Sequence, residues 1–408
     1  MPPVREVITQ VHREEWARVV ASVTRRFGDL DIAEDATAEA FAIAIERWPT
    51  EGVPLNPGAW LTTTAYRKAI DRIRRENKRD SKQKEAQMWY DDSPEPLDAI
   101  DDERLRLIFT CCHPALAMEN RVALTLRMVG GLTVPEIARA FLVQETAMGQ
   151  RITRAKSKIK AARIPYRVPS AEDLPARVSG VLAVLFLVFN EGYLATGSDT
   201  DPIRHDLTAE AIRLTRLIRA LMPQDGEVAG LLAMMLLTEA RRSARISASG
   251  ELVTLAEQDR RTWDAALIAE GQHLVRERLD AEVAPGRYQI LAAINAVHTS
   301  ARHMRDTDWS QIVALYDQLI SFDPSPIIAL NRAIAVAELV GPEVALAAID
   351  GLEEKLVGYH AYHAARADLL RRLGRAQESH VAYDKAIELS GNTAESAYLM
   401  RRRNQPRC

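Results

Sequence analysis

The feature that most constrains this chain is a short helix, a turn and a second, strongly basic helix between Gly131 and Arg163. A Thr-x-x-Glu pattern at Thr133 and Glu136 predicts the start of the first helix, which is expected to end near Phe141. The second helix places four apolar residues on one face, namely Met148, Ile152, Ala155 and Ile159. Residues 146–167 contain seven Lys or Arg and no acid. The pattern predicts a helix-turn-helix whose second helix has one apolar and one cationic face.

A basic helix held by a short partner helix is the geometry that enters the major groove of DNA. The alternative interpretation is an ordinary helical hairpin with a solvated cationic face, and we favour DNA binding. The residues of this helix expected to contact bases or phosphates are Thr146, Gln150, Arg151, Arg154 and Lys158.

The whole chain is predicted to be all-α, because alternating β-branched residues are scarce along its 408 residues. The longest apolar run, residues 181–189, is too short to span a bilayer, and no signal peptide opens the sequence. We therefore expect a cytoplasmic protein without a membrane segment. Adjacent Cys111 and Cys112 are a poor disulfide pair and are expected to be buried thiols. Neither a metal site nor another cofactor is expected.

Charge and proline divide the chain. Residues 85–103 hold eight acids and no base, which is typical of a linker, and Pro165, Pro169 and Pro175 mark a second linker. We expect a first helical domain over residues 1–80, an acidic linker over 81–103, a second helical domain over 104–165, a linker over 166–176 and a helical extension over 177–408.

An acidic ridge, formed by Asp35, Glu39 and Glu46, lies along the predicted helix of residues 32–48. The opposite face of this helix is expected to bury Ala33, Ala40, Phe41, Ala44, Ile45 and Trp48. The ridge is either a solvated face or a docking surface for a basic partner, and spacing alone favours the solvated face.

The next predicted helix follows Asn56-Pro57 and becomes basic, with nine Lys or Arg between residues 67 and 84. Hydroxyl and aromatic side chains precede these cations, a combination that suits contacts with nucleic-acid bases as well as phosphates. For Trp60 and Leu61, a place in the core is the favoured interpretation. The candidate DNA-binding residues of this helix are Trp60, Arg67, Lys68, Arg72 and Arg75.

Two basic helical modules joined by an acidic linker resemble a group IV, or extracytoplasmic-function, sigma factor of bacterial RNA polymerase. Residues 33–41 resemble the region 2.2 helix, which docks on the polymerase clamp in that family. Residues 60–75 resemble regions 2.3 and 2.4, which melt and read the minus-ten element, and residues 132–160 resemble the region 4.2 helix-turn-helix, which reads the minus-35 element. The sequence departs from the family pattern at Ala38, Arg67, Leu142, Gln144 and Gly149.

The resemblance implies that core RNA polymerase and promoter DNA are the partners. It also implies that binding energy assists DNA melting and that this chain performs no covalent chemistry, so it is not expected to be an enzyme. The residues implied to bind polymerase are Asp35, Glu39, Phe41 and Glu46. The acidic linker is expected to enter a cationic channel of the polymerase.

The extension contains the sequence FNEGYLAT at residues 189–196. Asn190, Glu191 and Tyr193 either form a pocket or regulatory contact or mark a plain helix end, and the plain interpretation is slightly favoured. This segment resembles a motif of the sigma-factor subgroup with a long tetratricopeptide-bearing extension, and the resemblance implies that the extension takes part in activity.

The extension also shows a weak repeat, in which Tyr316, Asp350 and Tyr383 recur at intervals of 34 and 33 residues. This spacing predicts weak tetratricopeptide-like repeats near residues 310–390 that could bind a regulatory protein or peptide. Earlier helices are expected near residues 208–222, 227–245, 251–270 and 287–305.

Three functions remain open. The first is a sigma factor whose helical extension modulates its activity. The second is a helix-turn-helix regulator that senses a ligand or protein and does not bind core polymerase. The third, an enzyme using Asn190, Glu191 and Tyr193, is the least favoured, because no nucleophile–base pair accompanies these residues. The acidic ridge and the acidic linker favour the first.

Overall fold

The computed structural model describes residues 4–79, 103–140, 143–170, 172–194, 203–247, 250–279, 284–391 and 393–405. Within these ranges the chain forms nineteen α-helices, three short 3-10 helices and an isolated β-bridge between Ile246 and Leu252, so the all-α prediction is confirmed. The chain divides into two compact units. The first comprises Met1–Gly192 and His205–Leu217, and the second comprises Tyr193–Arg204 and Ile218–Cys408.

Three long helices open the first unit, namely α1 (Val4–Phe27), α2 (Leu30–Glu51) and α3 (Pro57–Arg79). The start of α2 is fixed by Asp29, whose side chain accepts hydrogen bonds from the backbone N–H of Asp31 at 2.9 Å and of Ile32 at 3.2 Å. The helix ends before Gly52, which has a φ of +85° that favours glycine. The three helices pack on one another around buried apolar residues that include Val19, Val20, Ala40, Phe41, Ala44, Trp48 and Leu61.

The prediction that Ile45 lies in the core is wrong, because its side chain is 58% exposed. Its neighbours Ala44 and Trp48 are buried as expected. Ile45 follows Ala44 by one residue and therefore points about 100° further round the helix, beyond the buried face.

The second group of the first unit contains four shorter helices, namely α4 (Glu103–Cys111), α5 (Met118–Met128), α6 (Val134–Ala140) and α7 (Glu145–Ala161). The predicted capping box is present, because Thr133 N–H donates to Glu136 at 2.7 Å and Glu136 N–H donates to the Thr133 hydroxyl at 3.4 Å. The predicted apolar face of α7 is confirmed in full, with Met148, Ile152, Ala155 and Ile159 all buried. Phe141, near which the first helix was expected to end, and Leu142, which follows it, lie outside the described residues.

Two further helices complete the first unit and lead out of it, namely α8 (Leu174–Tyr193) and α9 (His205–Leu221). Arg177 of α8 donates a hydrogen bond to the carbonyl oxygen of Phe109 at 2.8 Å, and Arg104 pairs with Glu210 of α9 at 3.6 Å. The compact first unit therefore extends past residue 165, where the second helical domain was expected to end. In the described part of the chain, no helix is both long enough and apolar enough to cross a membrane.

The second unit continues with ten helices among its described residues, namely α10 (Gly226–Glu239), α11 (Ala265–Leu279), α12 (Arg287–Ser300), α13 (Trp309–Phe322), α14 (Pro326–Leu339), α15 (Pro342–Asp350), α16 (Glu353–Leu356), α17 (His360–Arg372), α18 (Ala376–Leu389) and α19 (Thr393–Asn404). Each of the longer helices packs on its neighbours in sequence, as in a helical solenoid. The predicted helix at residues 251–270 is wrong. The chain there forms the bridge at Leu252, and α11 begins only after Asp264, whose side chain accepts from the backbone N–H of Ala266 at 2.9 Å.

Three successive helical hairpins (α13 with α14, α15 with α17, α18 with α19) repeat along the second unit. Each hairpin contains an Asp–Arg ion pair across its two helices: Asp317–Arg332 at 2.6 Å, Asp350–Arg366 at 2.9 Å and Asp384–Arg403 at 2.5 Å. The aspartates are spaced by 33 and 34 residues. Asp350 therefore aligns with Asp317 and Asp384, one residue away from the register expected from Tyr316 and Tyr383. The tetratricopeptide assignment itself stays a prediction.

Candidate nucleic-acid and polymerase interface

The cationic face of α7 is presented to solvent within the first unit. Its exposed residues are Thr146, Gln150, Arg154 and Lys158, and Arg151 is half-buried. Arg154 donates to the side-chain oxygen of Gln150 at 3.0 Å, which orders two of these side chains side by side. Because the opposite face of the helix is buried, the structure brings all five predicted DNA contacts to one accessible side.

Two of the predicted DNA contacts on α3 are engaged by the acidic ridge of α2. Lys68 lies 3.2 Å from Glu39, and Arg72 forms an ion pair with Asp35. These pairs join residues expected to contact DNA to residues expected to contact polymerase. At the exposed surface such pairs contribute little stability and are easily exchanged for other partners.

Other predicted contacts of α3 differ in accessibility. Arg67 and Arg75 are exposed, whereas Trp60 is half-buried with its ring edge-on to Trp48, at 5.5 Å between centroids. The hydroxyls of the adjacent threonines donate to carbonyl oxygens one turn earlier in the helix, as Thr63 does to Ala59 at 2.9 Å. Trp60 is therefore held by the core on one side and accessible on the other.

The residues expected to bind polymerase do not all lie on the surface. Glu46 is exposed, but Phe41 is only 5% exposed and packs against His12 and Trp16, at centroid distances of 4.8 and 5.9 Å. In this arrangement Phe41 cannot contact a partner, because it fills the interior between α1 and α2. Ile45, which is exposed, lies beside Glu46 and provides apolar surface next to this carboxylate.

A contact that sequence reasoning missed joins the start of α2 to the flank of α7. We call it the α2–α7 contact and define it by Asp29, Asp31, Glu34, Lys156 and Lys160. Lys156 donates to Asp31 at 2.8 Å and also pairs with Glu34, and Lys160 donates to Asp29 at 2.8 Å. The side chains of Lys156 and Glu34 are only 10% and 12% exposed.

A second contact reinforces the first. Arg127, at the end of α5, donates to Glu34 at 2.6 Å, and its guanidinium lies 5.5 Å from the ring centre of Trp16 in α1. The indole N–H of Trp16 donates in turn to the carbonyl oxygen of Arg127 at 3.2 Å. The backbone at Gly131 packs against the same indole, since a Cβ at this position would lie 3.1 Å from the ring of Trp16.

The electrostatics of these contacts favour the charged forms. Burial raises the pKa of Glu34, but the charges of Lys156 and Arg127 and their hydrogen bonds outweigh burial and hold that pKa below its ordinary value. Burial lowers the pKa of Lys156, but Glu34 and Asp31 outweigh burial and raise it. The partly buried ions are therefore mutually compensated, and removing one would leave the others unpaired.

The three candidate regulatory residues of the FNEGYLAT segment differ in exposure and in the compact unit to which they belong. Asn190 is exposed and Glu191 is half-buried, whereas Tyr193 ends α8 and belongs to the second unit. The guanidinium of Arg245 stacks 3.2 Å from the ring centre of Tyr193 and donates to its carbonyl oxygen at 2.5 Å. Burial raises the pKa of Tyr193, but Arg245 and Arg241 outweigh burial and lower it. The three predicted regulatory residues thus do not share one environment.

The adjacent cysteines are buried, as predicted, at 0% and 2% exposure for Cys111 and Cys112. Burial raises the pKa of Cys112 to about 12, so this thiol stays protonated and unreactive at neutral pH. In the part of the chain that the structure describes, no cluster of three His, Cys, Asp or Glu side chains could hold a metal ion.

Three family models match consecutive parts of the chain. Sigma-70 region 2 matches residues 13–79, which form most of α1 to α3, and sigma-70 region 4 matches residues 106–159, which include the helix-turn-helix. A family of unknown function (DUF6596) matches residues 177–279, at the start of the extension.

Curated relatives match either most of the chain or about two-fifths of it. An uncharacterized protein of Rhizobium meliloti is 43% identical over 389 residues, covering 94% of this chain and 92% of that protein. The probable ECF RNA polymerase sigma factor SigI of Mycobacterium tuberculosis is 28% identical over 171 residues, which is 40% of this chain and 58% of SigI. The ECF RNA polymerase sigma factor SigK of Mycobacterium ulcerans is 28% identical over 37% of this chain and 82% of SigK. No solved structure matches the chain.

Proposed function

Because the chain belongs to the extracytoplasmic-function group of sigma-70 RNA polymerase sigma factors and carries a long C-terminal extension, we propose that it directs core polymerase to specific promoters and assists melting there. The proposed partners are core RNA polymerase and promoter DNA. The chain acts by binding, and polymerase performs the nucleotide chemistry.

The observation that carries this proposal is the order of two sigma regions along one chain, with the recognition helix α7 presenting its cationic face to solvent. Cations on that face would bind phosphates with an affinity that falls as salt rises. Arg151 and Arg154 are suited to guanine in the major groove, because the guanidinium donates two parallel hydrogen bonds to that base.

Strand capture at the downstream element is proposed for α3. Exposed Arg67 and Arg75 would contact phosphates, and the accessible side of Trp60 would stack on an unpaired base. Lys68 and Arg72 would join them once DNA phosphates replace the carboxylates of the acidic ridge. Asp35, Glu39 and Glu46, together with Ile45, would then face polymerase.

Two further parts of the proposal concern the linker and the extension. Seven of the linker acids, from Glu85 to Asp102, lie outside the described residues, and we propose from their charge that this segment enters a cationic polymerase channel. The eighth, Glu103, pairs with Arg25 of α1 at 2.9 Å. We also propose that the helical extension modulates activity by binding a regulatory protein or peptide along its solenoid.

The test is transcription of total genomic DNA fragments by core polymerase, with and without the full-length chain, followed by sequencing of RNA 5′ ends. We expect new start sites that share one upstream motif when the chain is added. Start sites identical to those of core polymerase alone would contradict the proposal. If the start sites were unchanged and the chain nevertheless retained selected DNA fragments by itself, the two results together would indicate a regulator that does not bind polymerase.

A further inference from the structure

The second unit contains three arginines that lie close together although two of them are buried. They are Arg241 and Arg245, which follow the end of α10, and Arg260, which precedes α11. Arg241 is 8% exposed and Arg245 is 5% exposed, and Arg260 is half-buried. Burial and the positive charge of Arg241 lower the pKa of both Arg245 and Arg260, so the three guanidinium groups lie within electrostatic reach of one another. We call these three residues the arginine cluster.

Two members of the arginine cluster are held by neutral groups. Arg260 donates hydrogen bonds to the carbonyl oxygens of His298 and Ala301, both at 2.7 Å. Arg245 stacks on the ring of Tyr193 and donates to its carbonyl oxygen. These contacts satisfy several donors but supply no full negative charge.

Arg241 has fewer partners than the other two arginines. Its Nη2 donates to the side-chain oxygen of Asn295 at 3.3 Å, and the same oxygen accepts from the hydroxyl of Thr238 at 3.3 Å. Its Nε is shielded from solvent and has no hydrogen-bond partner among the described residues. A charged donor that is buried without an acceptor destabilises the fold, and an anion bound beside it would remove this cost.

Two carboxylates act on the arginine cluster, namely Glu239 and Asp306. Glu239 pairs with Arg242, which is exposed, at 3.1 Å, and Asp306 pairs with Arg305 at 3.8 Å. Each carboxylate is therefore shared with an arginine outside the cluster. Within the described ranges, the cluster keeps an excess of more than one positive charge.

His298 lies in the electric field of the arginine cluster. Burial and the charges of Arg241 and Arg260 lower the pKa of His298 to about 4, so its ring is neutral at pH 7. A neutral imidazole can still donate one hydrogen bond. Its Nδ1 is buried and, in the part of the chain that the structure describes, has no hydrogen-bond partner. A second polar atom without a partner therefore accompanies Arg241.

We propose that the arginine cluster binds a compact oxyanion of charge two, such as hydrogen phosphate, with Arg241 as its principal ligand. A guanidinium group donates two parallel hydrogen bonds to a phosphate. The excess of positive charge favours a dianion over a carboxylate, and the burial of Arg241 and Arg245 favours a compact ion over a large phosphate ester. This inference does not rest on the proposed function, because all three arginines lie in the extension, within the residues matched by the family of unknown function.

An anion at this site has a consequence for the start of the extension. It would compensate the charge of Arg245, which holds Tyr193 at the end of α8. A ligand that binds only the folded state raises the stability of that state as its concentration rises. The second unit should therefore become more stable in phosphate.

The experiment uses the full-length chain without polymerase or DNA. Isothermal titration with sodium phosphate at pH 7.5 measures binding, and calorimetric melting in phosphate is compared with melting in sodium chloride of equal ionic strength. Arg241→Met removes the principal ligand. Arg261→Met is the matched control, since it makes the same change at a side chain that is 90% exposed.

We expect the wild-type chain and Arg261→Met to bind one phosphate and to melt about 5 °C higher at a phosphate concentration of 100 times the dissociation constant. Arg241→Met should show no such rise, and in chloride it should melt no lower than the wild type, because it replaces a buried uncompensated charge by an apolar chain. Arg241→Lys keeps the charge but not the fork of donors and should bind phosphate at least about tenfold more weakly. This variant decides the result if Arg241→Met does not fold.

Absence of phosphate binding by the wild-type chain would overturn the site, as would equal binding by the wild type and the Arg241 variants. Two further titrations test the kind of anion. Tighter binding of acetate than of phosphate would overturn the dianion, and tighter binding of glycerol 3-phosphate would overturn the compact ion. Each of these results leaves the proposed function intact, because none of the assays involves promoter recognition.

Discussion

At the residue scale, local patterns could be predicted from the sequence and distant pairings could not. The capping box of Thr133 and Glu136 and the buried face of α7 depend on spacing within one helix, and both are confirmed. Glu34 and Lys156 are 122 positions apart in the sequence, and nothing in either segment indicates their contact. Ile45 shows the limit of spacing, because a one-residue error in the buried face moves a side chain into solvent.

The reading face of α7 gives a prediction at this scale. Arg154→Ala should weaken promoter binding by the polymerase complex about 10- to 100-fold, since it removes a guanidinium suited to a base edge and leaves Gln150 without its partner. Thr153→Ala, at an exposed position next to it, should bind as the wild type does. Electrophoretic mobility shifts on the best promoter from the transcription test provide the measurement. Equal binding by both variants would show that α7 does not read this promoter.

Two glycines provide a matched pair. Gly131 and Gly28 both have a φ of +66°, so alanine at either position costs about 1–2 kcal/mol of backbone strain. At Gly28 an added Cβ meets nothing within 4 Å, whereas at Gly131 it lies 3.1 Å from Trp16. Gly131→Ala should therefore destabilise the first unit by about 1 kcal/mol more than Gly28→Ala does. Urea unfolding, with hydrogen exchange of α1 as the reporter, measures the difference, and equal losses would show that Trp16 moves away without cost.

At the element scale, the presence of helices could be predicted from the sequence more reliably than the residues at which they begin. The basic helix of residues 145–161 lies where its apolar spacing predicts, and helices lie near three of the four ranges expected in the extension, 208–222, 227–245 and 287–305. The prediction of a helix at residues 251–270 is wrong because the apolar residues of this segment do not indicate where the helix begins. The capping aspartate Asp264 carries that information, since it stands directly before α11. The repeat register was misplaced by one residue, because Tyr316 and Tyr383 were aligned with Asp350 rather than with Ile349.

The corrected register separates two kinds of contribution to the solenoid. Ile349 is fully buried in the core between α15 and α17, whereas the side chain of its neighbour Asp350 is 45% exposed in its pair with Arg366. Ile349→Ala should lower the free energy of unfolding by about 3 kcal/mol, and Asp350→Ala by less than about 1 kcal/mol. Urea unfolding followed by hydrogen exchange of α17 compares them. A larger loss for Asp350→Ala would mean that the repeated ion pairs, and not the apolar core, hold the hairpins together.

At the scale of the whole molecule, the two compact units do not coincide with the domains expected from composition. The linker prolines near residue 170 suggested a boundary there, yet α8 continues the first unit through its bond from Arg177 to Phe109, and α9 does so through Glu210. Composition could not show this, because the joining contacts link segments that are far apart in sequence.

This organisation predicts where the chain can be cut. A fragment of residues 1–170 should be less stable, because removing α8 and α9 takes away the hydrogen bond from Arg177 to the carbonyl oxygen of Phe109 and the ion pair of Arg104 with Glu210. A fragment of residues 1–221 keeps both helices and should unfold at a clearly higher temperature. Circular dichroism melting of the two fragments checks this, and identical melting curves would mean that α8 and α9 add nothing to the first unit.

The most direct measurement of the central claim is the binding of fluorescently labelled full-length chain to purified core RNA polymerase in the absence of DNA, with native mass spectrometry of the product. We expect saturable formation of a one-to-one complex, which then retains promoter fragments that core polymerase alone releases. A folded chain that retains those fragments by itself yet shows no saturable binding to core polymerase would contradict the account.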